Sequence, residues 1–170
     1  MEIILKGRAW TYGDEINTDY IFPMRYFGAG MSAPQELAKV AMENIDPGFA
    51  ARVQKGDFVV GGRNFGCGSS REGAAAALKY AGGGLSGILA ESFARIFYRN
   101  CINIGFPALV ASGVTEQVGN GDVIEVNIAT GEVRNETRGT QFAVEPTPEQ
   151  SLHILKEGGL IKYMRNAGKL

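Results

Sequence analysis

The alternation between residues 55 and 110 constrains this chain most. Three short apolar runs, KGDFVVGG (55–62), SGILAES (86–92) and PALV (107–110), alternate with two stretches of helical character, REGAAAALKYA (71–81) and FARIFYRNCINI (93–104). The runs are rich in Val, Ile and Leu and bounded by Gly or Pro, as strands buried on both faces are. The Ala-rich stretch has strong helix propensity, and Gly82, Gly83 and Gly84 end it. Strand, helix, strand, helix, strand predicts a parallel core with right-handed crossovers.

The flanks extend that core. Residues 2–10 read as a first strand. TYGDEINTDYIFP (11–23) is dense in turn and capping residues. Residues 34–43 suit a helix that Ser32 can cap and Pro34 can open, and 46–53 suit a second, short one. From 122 to 146, apolar and polar residues alternate around Thr130-Gly131 and Arg138-Gly139, the pattern of β-hairpins. Residues 148–168 read as one or two helices broken near Gly158-Gly159. No internal repeat or long linker divides the 170 residues, so the expectation is one α/β domain, 1–170, with a mostly parallel core and a β-hairpin flank.

Composition narrows the function. A net charge of −1 leaves no overall basic footprint for nucleic acid or an anionic membrane. The start, MEIILKGRAW, lacks the layout of a secretory signal, and no run approaches the roughly 18 apolar residues of a membrane span, so a cytoplasmic location is expected. Cys67 and Cys101 are the only cysteines, too few for a disulfide framework or a four-cysteine metal site. His153 is the only histidine, so any Ser-His-Asp scheme would depend on it. The 24 glycines, roughly twice the average usage of about 7%, fall between apolar runs, where they serve turns and close backbone approach.

One segment concentrates them: GGRNFGCGSSREG, residues 61–73, where a strand ends and a helix begins. Gly66 and Gly68 permit a sharp turn, and Ser69 and Ser70 can cap the helix. Free N–H groups at a helix start favour an anion. Arg71 adds a bidentate fork for carboxylate or phosphate. The spacing is neither a Walker loop nor a GxSxG elbow. On chemistry alone two readings stay open: a small-anion site beside two hydroxyls and a thiol, or a capped helix with a surface arginine.

NFGCGSSRE (64–72) and AESFARIFYRNCINIGFP (90–107), with DEINTDYIFPMRY (14–26) and ELAKVAMENIDPGFA (36–50), resemble the aconitase swivel-domain family, in particular the free-standing small subunits of the 3-isopropylmalate dehydratase and homoaconitase type. The likeness runs from about residue 3 to the C-terminus. It implies a swivelling β/β/α domain that closes over a large subunit carrying a 4Fe–4S cluster, in a heterodimer or heterotetramer, with no metal ligand or cofactor of its own. It implies Ser69 as the base, Ser70 and Gly68 as supports, and Arg71 and Arg25 as groups for the carboxylates of a dicarboxylate or tricarboxylate. It also implies that the loop Tyr26, Phe27, Gly28, Ala29, Gly30 selects substrate. Two departures stand out: Gly73 replaces a frequent histidine, and YFGAGMS (26–32) lacks the arginine of the common Tyr-Leu-Arg-Thr loop. The implied activity is hydro-lyase isomerisation of 2-isopropylmalate to 3-isopropylmalate in leucine biosynthesis. The alternatives are a homoaconitase, citramalate or dimethylmalate dehydratase subunit, or a non-catalytic anion-binding module.

Elsewhere ordinary roles are expected. Cys101 belongs in the core, and Cys67 packs beside the turn or lines the site. His153 lies on an amphipathic helix. Arg95 and Arg99, one turn apart, make an anion patch or, more commonly, salt bridges. Thr18 and Asp19 form a turn or shape the mouth of the site.

Overall fold

The computed structural model describes residues 3–28, 30, 31, 33–69 and 71–170. Seven strands form one sheet: β1 (Ile4–Thr11), β2 (Phe58–Gly61), β3 (Gly87–Ala90), β4 (Ala108–Val110), β5 (Val123–Asn127), β6 (Glu132–Asn135) and β7 (Thr140–Ala143). Their order is β4-β3-β2-β1-β5-β6-β7. β1 to β4 run parallel, while β5, β6 and β7 add to the other edge of β1 as antiparallel neighbours. The expected parallel core and hairpin flank are thus halves of one sheet, with β1 as their shared strand.

Register explains the two-sided core. Trp10 pairs with Val59, Val59 with Ile88, and Ile88 with Ala108, so one row of side chains crosses four strands on one face. Ala9, Phe58, Leu89 and Leu109 sit one residue out of step and point to the other face. Successive strand residues alternate faces, so a run such as FVVG, wholly buried, must be apolar throughout. Each such Val, Leu or Phe contributes about 1.5–3 kcal/mol on burial.

Helices cover both faces. α1 (Thr18–Ile21), α2 (Pro34–Lys39) and α3 (Phe49–Arg52) join β1 to β2. α4 (Glu72–Tyr80) joins β2 to β3, and α5 (Arg95–Asn103) joins β3 to β4. Ala74, Ala75, Ala77 and Leu78 of α4 pack on the Trp10–Ile88 face beside Leu37 of α2. The opposite face takes Val114 of α6 (Val114–Gln117) and Ile154 and Leu155 of α7 (Glu149–Lys156), with α8 (Leu160–Asn166) following the break at Gly158-Gly159.

One expected helix is shorter than its pattern, and two one-turn helices fall where the sequence pattern placed none. The helix expected over 34–43 ends at Lys39, because Met42, fully buried, turns to φ 61° and donates its N–H to Ile21 O at 2.9 Å. Docking overrides helix propensity there. Its cap position is Ala33; Ser32, the expected cap, lies outside the described residues. The 11–23 segment contains α1, capped by the Asn17 side chain, and α6 follows the left-handed Gly113 (φ 76°).

Candidate active site

The site begins where β2 ends. From Gly62 to Ser69 the chain runs as a loop, held between residues 13–18 on one side and 92–94 on the other. Gly62 N–H donates to Gly13 O (2.9 Å), Gly66 N–H to Ile16 O (2.7 Å) and Thr18 N–H to Cys67 O (2.9 Å). On the other side Phe65 N–H reaches Ser92 O (3.0 Å), and Ala94 N–H reaches Phe65 O (2.9 Å). Gly66 is obligatory: its φ is 81°, and a Cβ there would stand 2.1 Å from the Phe97 ring. The turn is therefore held from both flanks by backbone hydrogen bonds, the kind of support that preorganises a site.

Thr18 of the NTD segment and Arg71 together lock its far end. Buried Thr18 donates its hydroxyl to Ser69 O at 2.5 Å, and Arg71 N–H donates to the same oxygen at 2.8 Å. Ser69 is exposed, and its hydroxyl makes no hydrogen bond among the described residues. The cap position of α4 is Arg71, not a serine, and no side chain among the described residues caps the helix. The expected capping role for Ser69 is thus replaced by a free hydroxyl fixed through its own carbonyl; Ser70 lies outside the described residues. The N–H groups of Glu72 and Gly73 donate to no partner outside the helix among the described residues, a helix start of the kind that favours an anion.

Arg71 is a mostly buried cation at this turn. Its side chain is only 12% exposed, yet its nearest carboxylate, Asp19 Oδ1, stands 3.8 Å away. One terminal nitrogen faces Met24 Sδ at 3.3 Å, the guanidinium lies 6.0 Å from the Phe27 ring centre, and Nε, buried, has no partner among the described residues. A cation withdrawn from water with so little in return is costly unless an anion joins it.

Arg71 lines a pocket of about 540 Å³ together with Phe22, Tyr26, Phe27, Gly28, Met31, Leu37, Glu72 and Gly73. The loop expected to select substrate therefore meets the anion group: Tyr26, Phe27 and Gly28 are in its wall. Gly30 is exposed outside it, and Ala29 lies outside the described residues. Arg25 is elsewhere, 51% exposed, bonded to Asn44 Oδ1 (2.8 Å), paired with Glu43 (3.1 Å) and stacked on Tyr26. Gly68, with φ 90°, is exposed beside Ser69. Sequence reasoning overlooked Phe22, Met31 and Leu37 as pocket wall. Their apolar character was visible, but only the folded contact of α1, α2 and α4 brings them to Arg71.

The Aconitase C-terminal domain model matches residues 27–112 of the chain. The chain belongs to that family. Curated relatives match over more than nine-tenths of their length. The Isopropylmalate/citramalate isomerase small subunit of Methanocaldococcus jannaschii is 48% identical, covering 97% of this chain and 96% of its own. The 3-isopropylmalate dehydratase small subunit 2 of Archaeoglobus fulgidus is 50% identical over 96% of each. The Methanogen homoaconitase small subunit of Methanothermobacter thermautotrophicus is 47% identical over 96% of this chain and 92% of its own. The crystal structure of 3-isopropylmalate dehydratase from Methanocaldococcus jannaschii superimposes with a TM-score of 0.90 at 39% identity, covering 97% of this chain and 95% of that one. The swivel fold inferred from the motifs is therefore the fold of this chain.

Among the described residues, no group of three or more His, Cys, Asp or Glu side chains is placed to hold a metal ion. Cys101 is wholly buried on α5, where desolvation pushes its thiol far above the usual range, and Cys67 is half-buried in the turn. His153 is exposed, 3.8 Å from Glu149. Arg95 and Arg99 are exposed and make no ion pair among the described residues, against the expected salt bridges. No helix among the described residues is long and apolar enough to cross a membrane.

Proposed function

We propose that residues 1–170 act as one swivel domain, the small subunit of a hydro-lyase that isomerises a 2-hydroxy dicarboxylate by removing and re-adding water. The substrate pair is 2-isopropylmalate and 3-isopropylmalate, in leucine biosynthesis, and a large subunit supplies the 4Fe–4S cluster. One observation carries the reading: the buried, under-partnered guanidinium of Arg71 at a pocket whose walls are otherwise mostly apolar. Such a pocket suits an anionic group attached to an apolar branch.

Within this proposal Arg71 clamps a substrate carboxylate through two parallel N–H···O bonds. Ser70 and Gly68 support the same anion. Arg25 joins by exchanging Glu43 and Asn44 for a second carboxylate, a small cost because exposed ion pairs contribute about 0–1 kcal/mol. Ser69 takes the proton from carbon and returns it. A serine can do so only where its alkoxide form is stabilised, and the open start of α4 and Arg71 provide positive potential beside it. The one cation among the described lining residues favours a dicarboxylate over a homoaconitase-type tricarboxylate, which needs a further anchor.

Co-purification with its large subunit, followed by an anaerobic assay on 2-isopropylmalate, citramalate and homocitrate, tests this. The highest kcat/KM on 2-isopropylmalate is expected. A preference for homocitrate, or full turnover by the isolated chain, would contradict it.

A further inference from the structure

At Met24 the Arg71 site meets water. The side chain of Met24 is 54% exposed, whereas Met42 is wholly buried and Met31 and Met164 are half-buried. Exposure has not left its sulfur unplaced. Met24 N–H donates to Asp19 Oδ1 at 2.6 Å, the same oxygen that stands 3.8 Å from Arg71. One terminal nitrogen of Arg71 then donates to Met24 Sδ at 3.3 Å. A thioether is a weak acceptor, so this contact leaves the guanidinium free to exchange it for an anion. Arg71 has little else to hold it: its Nε, buried, has no partner among the described residues. An oxidisable sulfur therefore lies in direct contact with an under-partnered cation.

We propose that Met24 is a modification site: oxidation of its thioether by hydrogen peroxide sets an oxygen acceptor against Arg71 and weakens the hold on the substrate carboxylate. This rests on the role proposed above for Arg71. A sulfur lone pair attacks one peroxide oxygen, so that an S–O bond forms and the O–O bond breaks. The sulfur is oxidised, the peroxide is reduced, and water leaves. The product is methionine sulfoxide, a polar side chain in place of an apolar one. Its oxygen carries partial negative charge and accepts hydrogen bonds strongly where the sulfur accepted weakly. Attached to Sδ, that oxygen is within reach of the guanidinium nitrogen already 3.3 Å from the sulfur. One prong of the fork that would grip a carboxylate is then taken by the chain itself. The change is reversible, because methionine sulfoxide reductases remove the oxygen.

The test oxidises this chain alone, so that no iron–sulfur cluster meets the peroxide. Parent and Met24→Leu are treated with hydrogen peroxide, cleared with catalase and reconstituted anaerobically with untreated large subunit. Peptide mass spectrometry locates the added oxygen, and steady-state kinetics on 2-isopropylmalate reads KM and kcat. Treated parent should carry the oxygen on Met24 and show a KM about tenfold above that of untreated parent, the low end of what a charge-assisted hydrogen bond is worth. The effect should fall on KM more than on kcat, and a methionine sulfoxide reductase should reverse it. Treated Met24→Leu should keep the KM of its own untreated form, which removes Cys67 and Met31 as causes. An unchanged KM in parent oxidised at Met24, an equal rise in Met24→Leu, or a parent in which Met24 stays unoxidised would overturn the assignment. Untreated parent enzyme without turnover on 2-isopropylmalate would instead defeat the functional reading and this inference with it.

Discussion

At Arg71, burial and bonding disagree. The side chain is 12% exposed, its nearest carboxylate stands 3.8 Å away, and Nε has no partner among the described residues. Lysine keeps the charge but has no planar fork and no Nε donor. Arg71→Lys in the assembled enzyme should therefore lower kcat/KM by about 10- to 100-fold, the equivalent of a charge-assisted contact of roughly 1.5–3 kcal/mol. Steady-state kinetics on the reconstituted pair measures it, and unchanged kinetics would make Arg71 a structural residue. Arg71 was legible as an anion group because an arginine after a glycine-serine turn sits at a helix start. That Arg71 itself holds the cap position was not, since it depends on Thr18 and Arg71 both bonding to Ser69 O.

Among the elements, the loop after α1 governs the mouth of the pocket. Gly28 has φ 80°, where an arginine would be strained, but Phe27 is 67% exposed with φ −68° and lines the same pocket. Phe27→Arg should shift preference towards substrates with a third carboxylate by about tenfold or more, read as the ratio of kcat/KM for homocitrate to 2-isopropylmalate. A second element-scale case lies in the hairpin flank. Asp122 Oδ2 accepts from Asn135 Nδ2 (2.8 Å), Gly119 N–H (2.8 Å) and Arg138 Nε (2.9 Å), tying the turn between β6 and β7 to the segment before β5. Burial raises its pKa, but these three donors and the Arg138 charge outweigh it, so the carboxyl titrates below its usual value. A depressed folded pKa means stability that is present above the unfolded value, about 3.9, and lost as pH falls through the folded one. Asp122→Asn should lower the thermal midpoint at pH 7, with a cost of about 1–3 kcal/mol. The gap to the parent should narrow as pH falls below about 4. A gap independent of pH would contradict the ionic account. The parallel strands were legible because burial on both faces leaves an unbroken apolar run. The one-turn helices α1 and α6 were not, because four residues carry no period, and their formation depends on the Asn17 cap and the left-handed Gly113.

For the whole molecule, the proposal makes this chain half of a machine. It presents Arg71 and a fixed serine but no metal-holding group among the described residues. The isolated chain should fold cooperatively and be inactive, and activity should appear only on mixing with the large subunit; calorimetry and an anaerobic assay with each subunit alone check both halves. The family was legible because several separated motifs occur in one order along the chain. The pocket wall was not, since Phe22, Met31 and Leu37 come together only when α1, α2 and α4 pack. The central claim is that Ser69 moves the proton. Its hydroxyl makes no bond among the described residues and it does not hold the cap position of α4, so its loss should cost little stability, within about 0.5 kcal/mol. The most direct measurement is kcat of the reconstituted enzyme carrying Ser69→Ala, beside the thermal midpoint of the subunit. The account predicts a fall of about 10²–10⁴-fold in kcat with the midpoint unchanged and assembly intact; near-normal kcat in a properly assembled enzyme would contradict it.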